Sequence, residues 1–142
     1  MNITKEYINE CDCPEVQGLK PKLEIGDYIE DKGKVYLLTL FKELAGDYLE
    51  VYGKSLDGDK PFYKQAWERR LLIWLPTSGQ LDEEIVKLNY GDNYIVDYHI
   101  RGVCEVSIYF DTAMVYIHRV RHANPLIAKI KLLKELLKES EE

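Results

Sequence analysis

Residues 72–85 read LIWLPTSGQLDEEI, and this stretch decides the fold of the chain. Its apolar start is typical of a strand, which stops at Pro76, and an amphipathic helix begins at once. Thr77 and Gln80 have the spacing of a capping box, in which each side chain bonds the backbone N–H of the other residue. Pro76 and Leu81 occupy the positions of a hydrophobic staple. The stretch predicts a strand over about 69–74 and a helix over about 78–88, and it offers no candidate catalytic residue.

The composition is that of an ordinary globular domain. Of 142 residues, 46% are apolar and 31% are charged, which excludes a disordered chain. Eleven tyrosines against three phenylalanines suit half-exposed strands and contact surfaces, because an apolar ring carries a polar tip. We predict one domain over residues 1–142, with a β-rich part over 1–74 and an α-β-β-β-α part over 75–142.

The net charge of −6 is spread evenly, since residues 1–74 and 75–142 each carry −3. Duplex binding draws most of its affinity from neutralised phosphates, so this charge argues against direct nucleic-acid binding. The α-β-β-β-α order also matches that of a double-stranded RNA-binding domain. Such a domain needs a basic start to its last helix, whereas residues 124–128 read NPLIA and only Lys129 follows.

The sequence has no apolar signal core and no run of membrane-spanning length, which predicts a soluble intracellular protein without membrane contact. Its three cysteines are Cys11, Cys13 and Cys104. Cys11 and Cys13 are too close for an ordinary disulfide, and no zinc-finger spacing is present. We therefore predict reduced thiols, no metal site and no cofactor.

The order of elements predicts an α+β fold. Short helices over 3–9 and from Pro14 precede a hairpin whose strands, 28–30 and 35–40, flank a turn at 31–33, and a strand follows over about 47–52. The region from 39 to 65 has no further assignment. The C-terminal part has strands over about 94–99, 103–110 and 113–120, and a last helix over 125–138 capped by Asn124. We expect an antiparallel sheet flanked by the helices 78–88 and 125–138, with the N-terminal strands extending it or covering its second face.

The alternation of apolar residues predicts the register of the three C-terminal strands. A three-residue connection over 100–102, with Gly102 left-handed, pairs Val96 with Val106 and aligns the apolar faces. A two-residue loop at 111–112 would then place His118 beside Glu105. The opposite face would carry a polar row of Asp97, Glu105 and His118.

This polar row could bind a divalent metal or supply an acid and a base. The simpler and favoured interpretation is an exposed sheet face with one Glu–His pair, because metal enzymes usually add ligands from loops or helices and none is evident. We predict no catalytic residue.

A second group of candidate residues is basic. All five arginines lie between Arg69 and Arg121, and guanidinium groups bind phosphate through paired hydrogen bonds. The alternative interpretation is a solvated strand end that pairs with the many acidic residues. The predicted ligand-binding residues are Arg101, His118, Arg119, Arg121 and His122.

Three motifs carry a family resemblance: residues 13–17 read CPEVQ, KP at 20–21 precedes GD at 26–27, and WLP at 74–76 precedes QL at 80–81. In this order they resemble a group of small uncharacterised proteins encoded by bacteriophages and prophages. The part from the capped helix to residue 133 also resembles the phage α/β/α-sandwich domain. The resemblance implies an accessory protein in the bacterial cytoplasm and carries over no catalytic residue.

These observations lead to three function hypotheses. The first is a non-enzymatic binding protein with a host or phage protein as its partner, which would act as an inhibitor of a host defence or nucleic-acid-processing protein. The second is a protein that binds or sequesters a small phosphorylated ligand or nucleotide through the Arg/His region. The third and weakest is a metal-dependent hydrolase. Exposed strand edges leave a homo-oligomer open.

Overall fold

The structure, a computed structural model, describes residues 3–43, 49–56, 61–66, 72–88, 93–98, 102–109 and 116–140. The chain divides into two compact units, which we call the N-terminal unit (Cys11–Pro76) and the C-terminal unit (Met1–Glu10 with Thr77–Glu142). The boundary between Pro76 and Thr77 lies two residues after the division that the sequence predicts between residues 74 and 75. Helices and antiparallel sheets confirm the α+β class. The prediction that the chain is one domain stays a prediction.

Helix α1 (Lys5–Cys11) lies almost wholly in the C-terminal unit, and its last residue opens the N-terminal unit. The N-terminal unit contains a short helix, α2 (Pro14–Gln17), and a five-stranded antiparallel sheet. In sequence its strands are β1 (Tyr28–Asp31), β2 (Lys34–Glu43), β3 (Leu49–Ser55), β4 (Pro61–Ala66) and β5 (Ile73–Leu75). Their order in the sheet is β4-β3-β2-β1-β5, so the described strands leave β4 and β5 at its edges.

The β1–β2 hairpin confirms the prediction, with a tighter turn than expected. Asp31 pairs with Lys34, which leaves only Lys32 and Gly33 in the loop. Both have positive φ, 52° and 83°, as the central residues of a type I′ turn do. Strand β4 was not predicted, because residues 61–66 read PFYKQA and show no clear alternation.

The carboxamide of Gln17 connects α2 to the edge strand β5. Its Oε1 accepts the Trp74 N–H at 2.7 Å, and its Nε2 donates to the Trp74 carbonyl at 2.9 Å. Nε2 also donates to the Cys11 carbonyl at 2.9 Å. Because β5 is an edge strand of the described sheet, the carboxamide occupies the place where a further strand would bond.

Ion pairs of Lys20 lie beside Trp74. Lys20 Nζ lies 5.9 Å from the centroid of the indole ring, within cation–π range, and 3.5 Å from both Asp27 Oδ2 and Glu24 Oε1. The Asp27 oxygen also accepts the N–H of Glu24 at 2.8 Å, and Asp27 is buried. The segment from 20 to 27 therefore folds around Lys20 and its two carboxylate partners beside the indole ring.

The C-terminal unit has the predicted α-β-β-β-α order after α1. Its elements are α3 (Ser78–Leu88), β6 (Asn93–Tyr98), β7 (Cys104–Tyr109), β8 (Tyr116–His122) and α4 (Pro125–Ser140). The three strands form a separate antiparallel sheet, so of the two predicted alternatives the first, in which the N-terminal strands extend this sheet, is excluded for the described strands. Helix α4 packs against α3, β7 and β8.

Both helix starts follow the sequence prediction. Thr77 Oγ1 accepts the Gln80 N–H at 3.2 Å, and Gln80 Oε1 accepts the Thr77 N–H at 2.9 Å, which is the reciprocal pair of a capping box. Asn124 Oδ1 accepts the Leu126 N–H at 3.0 Å and caps α4. The buried face of α4 is broad and consists of Leu126, Ile127, Ala128, Lys129, Ile130, Leu132, Leu133, Leu136 and Leu137.

The predicted register of β6 and β7 is confirmed. Val96 pairs with Val106 and Asp97 pairs with Glu105. Gly102 is left-handed, with φ of 76°. A two-residue turn would have placed the apolar residues of the two strands on opposite faces, so the sequence itself required a longer connection.

The predicted register of β7 and β8 is wrong. Glu105 pairs with Arg121 rather than with His118, and His118 pairs with Ile108. The observed pairing is shifted by three residues from the predicted one, and a shift by an odd number of residues moves each side chain of β8 to the other face of the sheet. In the predicted register Arg119 would have shared the face of Cys104, Val106 and Ile108, which are buried. The observed register avoids the cost of burying its guanidinium there.

Among the described residues, no helix is both long enough and apolar enough to cross a membrane.

We predict that Gln17→Ala lowers the free energy of unfolding by about 2–3 kcal/mol, because three hydrogen bonds disappear and the backbone groups of Trp74 lose their partner. Urea unfolding followed by tryptophan fluorescence measures the change. Glu15→Ala, an exposed position on the same short helix, is the control and should cost no more than about 0.5 kcal/mol. Equal losses in the two variants would show that the carboxamide does not hold β5.

Candidate functional site

Three charged side chains of the C-terminal unit meet at Glu105. This residue is the second of β7 and is only 2% exposed. Its Oε1 accepts a hydrogen bond from Arg119 Nε at 2.5 Å, and its Oε2 accepts one from Arg121 Nε at 2.7 Å. Both arginines lie on β8, two residues apart and therefore on the same face of the strand. One buried carboxylate is thus held between two guanidinium groups.

This arrangement determines the protonation state of Glu105. Burial raises the pKa of the carboxyl group, but the hydrogen bonds and positive charges of Arg119 and Arg121 outweigh it and lower the pKa from 4.5 to about 2. The carboxylate is therefore ionised at neutral pH and is not suited to act as a general acid or base there. Its role is to hold the two arginines in place.

The predicted polar row is not formed as expected. Asp97 is the backbone partner of Glu105, but its side chain lies outside the described residues. His118 pairs with Ile108 and lies on the other face of β8. Its Nδ1 is 3.1 Å from Glu135 Oε2, and its Nε2 is 3.0 Å from a carboxylate oxygen of Glu139 without the alignment of a hydrogen bond. A histidine held by two carboxylates of α4 does not join Glu105 in a metal or acid–base site.

The predicted Arg/His ligand-binding group is divided in the same way. Arg119 and Arg121 come together at Glu105, whereas His118 and His122 lie on the opposite face. His122 Nδ1 accepts the N–H of Asn124 at 2.9 Å, and its Nε2 is 3.3 Å from Glu6 Oε1. Arg101 lies outside the described residues. The structure therefore assembles a pair of arginines and not a mixed basic cluster.

The sequence prediction missed a buried lysine. Lys129 is 3% exposed, and its Nζ lies 2.6 Å from Ser78 Oγ and 2.9 Å from Asp82 Oδ1. The same Asp82 oxygen accepts the hydroxyl of Tyr94 at 2.7 Å. A serine beside a buried lysine resembles a nucleophile with its base, but Nζ already donates to a carboxylate, so it is placed as a hydrogen-bond donor. The network ties α3 to α4 and β6.

A signal for this network was present in the sequence. Lys129 lies within the apolar stripe of α4, at a position where a charge must find a partner. Ser78 and Asp82 are four residues apart at the start of α3 and therefore share one face of that helix. This signal is incomplete, because Ser78 and Lys129 are 51 residues apart and no local pattern shows that the two helices meet.

The N-terminal unit exposes an aromatic row, which we define as Leu40, Tyr52 and Tyr63. These residues are direct partners across β2, β3 and β4. The rings of Tyr52 and Tyr63 have centroids 4.9 Å apart, and the Tyr63 hydroxyl lies 3.3 Å from Glu50 Oε1. Leu40 is 37% exposed and Tyr63 is 50% exposed. The row is ordered by contacts within the sheet and is also accessible.

A β-bulge between Leu38 and Leu40 turns the leucine of this row outward. Leu38 is buried opposite Gly53, whereas Leu40, two residues later, lies opposite Tyr52 on the other face. In a regular strand without a bulge, two residues at i and i+2 would point to the same side. Gly53 permits the close approach at the bulge, since a Cβ there would lie 2.6 Å from the Leu37 carbonyl oxygen.

Within the described ranges, no group of three or more His, Cys, Asp or Glu side chains is arranged to hold a metal ion. Cys11, Cys13 and Cys104, all of them described, are not joined in disulfides. No protein-family model matches the chain, and comparison with curated proteins and with solved structures finds no match.

We predict that Glu105→Gln lowers the free energy of unfolding by about 2 kcal/mol at neutral pH, because the two guanidinium groups lose their carboxylate. The pKa of Glu105 is lower in the folded chain than its ordinary value of 4.5, so its contribution is complete above pH 4.5 and disappears as the pH falls towards about 2. The difference between wild type and variant should therefore shrink over that range. Urea unfolding at several pH values measures it.

Glu83→Gln removes an exposed carboxylate from α3 and is the control for the loss of one negative charge. It should leave stability within about 0.5 kcal/mol of wild type at every pH. A difference between Glu105→Gln and wild type that stays constant down to pH 2 would contradict the assigned role of the carboxylate.

Proposed function

We propose that this chain is a non-enzymatic accessory binding protein of a bacteriophage or prophage, which acts in the bacterial cytoplasm by inhibiting a host defence or nucleic-acid-processing protein. The observation that carries the proposal is the aromatic row of the N-terminal unit. Tyrosine and other large side chains that remain accessible on an ordered sheet face are typical of protein contact surfaces. The sequence motifs that resemble phage proteins supply the biological setting.

The charges around the aromatic row support a protein partner. Lys42 and Lys54 are exposed, and their backbone partners are Glu50 and Leu37 on the face that carries Tyr52. An apolar centre with charged residues at its margin is the usual anatomy of a protein interface. Within an acidic chain of net charge −6, this face combines both signs of charge and can give a partner a defined orientation.

The alternatives are affected differently by the geometry. The hypothesis of a metal-dependent hydrolase loses its basis, because His118 and Glu105 lie on opposite faces of the C-terminal sheet. The phosphorylated-ligand hypothesis keeps Arg119 and Arg121 from its residue set and loses the two histidines. The contact hypothesis uses no residue of either set.

We predict that Tyr63→Ala reduces recovery of a stoichiometric host protein by about fivefold or more, because an aromatic hot-spot residue of an interface contributes more than about 1 kcal/mol. The measurement is native mass spectrometry of the tagged chain purified gently from bacterial cells. Tyr63 lies on an edge strand and is half exposed, so the variant should keep its fold, which circular dichroism verifies.

Val86→Ala is the matched control, since Val86 is 59% exposed on α3 and lies in the other unit. It should leave recovery of the partner unchanged. Equal recovery with both variants would exclude the aromatic row as the contact. If the wild-type chain carries no stoichiometric host protein at all, the binding proposal itself is wrong.

A further inference from the structure

The two margins of the aromatic row carry different charges. On β3, Glu50 and Lys54 lie two residues before and after Tyr52 and therefore on the same face of the strand. On β2, Lys42 lies opposite Glu50, and Leu37 lies opposite Lys54. The aromatic row thus runs across the strands between one margin with both signs of charge and another margin with a lysine.

The lysines of this face are accessible to a second molecule. Lys42 and Lys54 are exposed, and neither forms an ion pair within the part of the chain that the structure describes. Glu50 accepts the hydroxyl of Tyr63 at 3.3 Å. A carboxylate has sites for about four hydrogen bonds, so this contact is compatible with a further bond from a lysine.

A two-fold axis parallel to the aromatic row makes this face complementary to itself. Rotation about such an axis exchanges the two margins and keeps the row in place, so Lys54 of each copy lies over Glu50 of the other. Lys42 then lies over Leu37. An axis parallel to the strands would instead place Lys54 over Lys54 and Glu50 over Glu50. Sheets that pack face to face are about 10 Å apart, a distance that a lysine and a glutamate side chain span together.

We propose that the free chain forms a weak symmetric dimer through the aromatic row, with two ion pairs between Lys54 and Glu50 at its margins. Two chains of net charge −6 repel each other, which keeps the dimer weak. At physiological salt the screening length is about 8 Å, so the opposite charges that meet across the face outweigh the more distant like charges. The second copy covers the face that the proposed function assigns to a host protein, so the two occupants compete. The dimer itself needs no host protein and is measured without one.

The test is sedimentation equilibrium of the purified full chain at physiological salt, over concentrations from about 10 µM to about 1 mM. Wild type should change from monomer to dimer with a Kd of the order of 100 µM, the weak range expected of a small interface between chains of like net charge. Tyr63→Ala should weaken dimerisation about fivefold or more, because the exposed ring then no longer contributes to the contact.

An exchange of the two charges separates this geometry from general repulsion. Lys54→Glu and Glu50→Lys each bring like charges together twice across the axis, and each should weaken dimerisation about tenfold or more. The double variant Lys54→Glu/Glu50→Lys restores opposite charges and should have a Kd within about threefold of wild type. Lys5→Glu makes the same charge change as Lys54→Glu at an exposed position in the other unit, and it should leave the Kd within about twofold of wild type.

Four results would overturn the proposal: a chain that stays monomeric up to about 1 mM, a dimer that Tyr63→Ala leaves unchanged, a double variant that dimerises no more tightly than the single ones, or equal losses in Lys5→Glu and Lys54→Glu. Dispersion of the amide resonances verifies that each variant is folded. If Glu50→Lys is unfolded, the comparison of Lys54→Glu with Lys5→Glu decides between the same outcomes.

Discussion

The carboxamide of Gln17 is the interaction on which the N-terminal unit depends. Strand β5 is short and, among the described strands, pairs only with β1, so its other side would present unpaired backbone groups. Gln17 bonds both the N–H and the carbonyl of Trp74 and so completes this edge from a helix instead of from a strand. A single side chain fixes β5 and the place where the indole ring is held. The chain then continues through Pro76 into the capped start of α3.

The three motifs of the phage resemblance have structural roles in this arrangement. Gln17 ends the first motif and Trp74 begins the third, and they are joined by hydrogen bonds. Lys20 and Asp27 belong to the second motif, form an ion pair and lie beside the same indole ring. The contacts of Gln17, Trp74, Lys20 and Asp27 therefore give these motifs a structural role in the N-terminal unit. A chain that shares the motifs is expected to share this architecture.

The parts of the fold that could be predicted from the sequence are those set by near neighbours. The capping box at Thr77, the cap at Asn124 and the left-handed Gly102 each depend on a few consecutive residues, and all three are present. The register of β8 depends on the length of its connection to β7 and on the partners that its charged residues find. A two-residue loop was assumed, whereas Tyr109 pairs with Tyr116 and residues 110–115, which connect them, lie outside the described residues. The alternation of apolar and polar residues alone could not decide the register of β8, because this strand carries ionisable residues on both faces.

The register of β8 also explains why the candidate site could be predicted only in part. The same strand carries two arginines on one face and two histidines on the other, so its register decides which pair meets Glu105. A guanidinium group carries a permanent positive charge and stabilises a buried carboxylate more strongly than the single N–H of a neutral imidazole does. His118 instead reaches Glu135 and Glu139 on α4. Burial of Glu105 thus selects the arginine face, and this selection turns a predicted acid–base row into a fixed pair of exposed guanidinium groups.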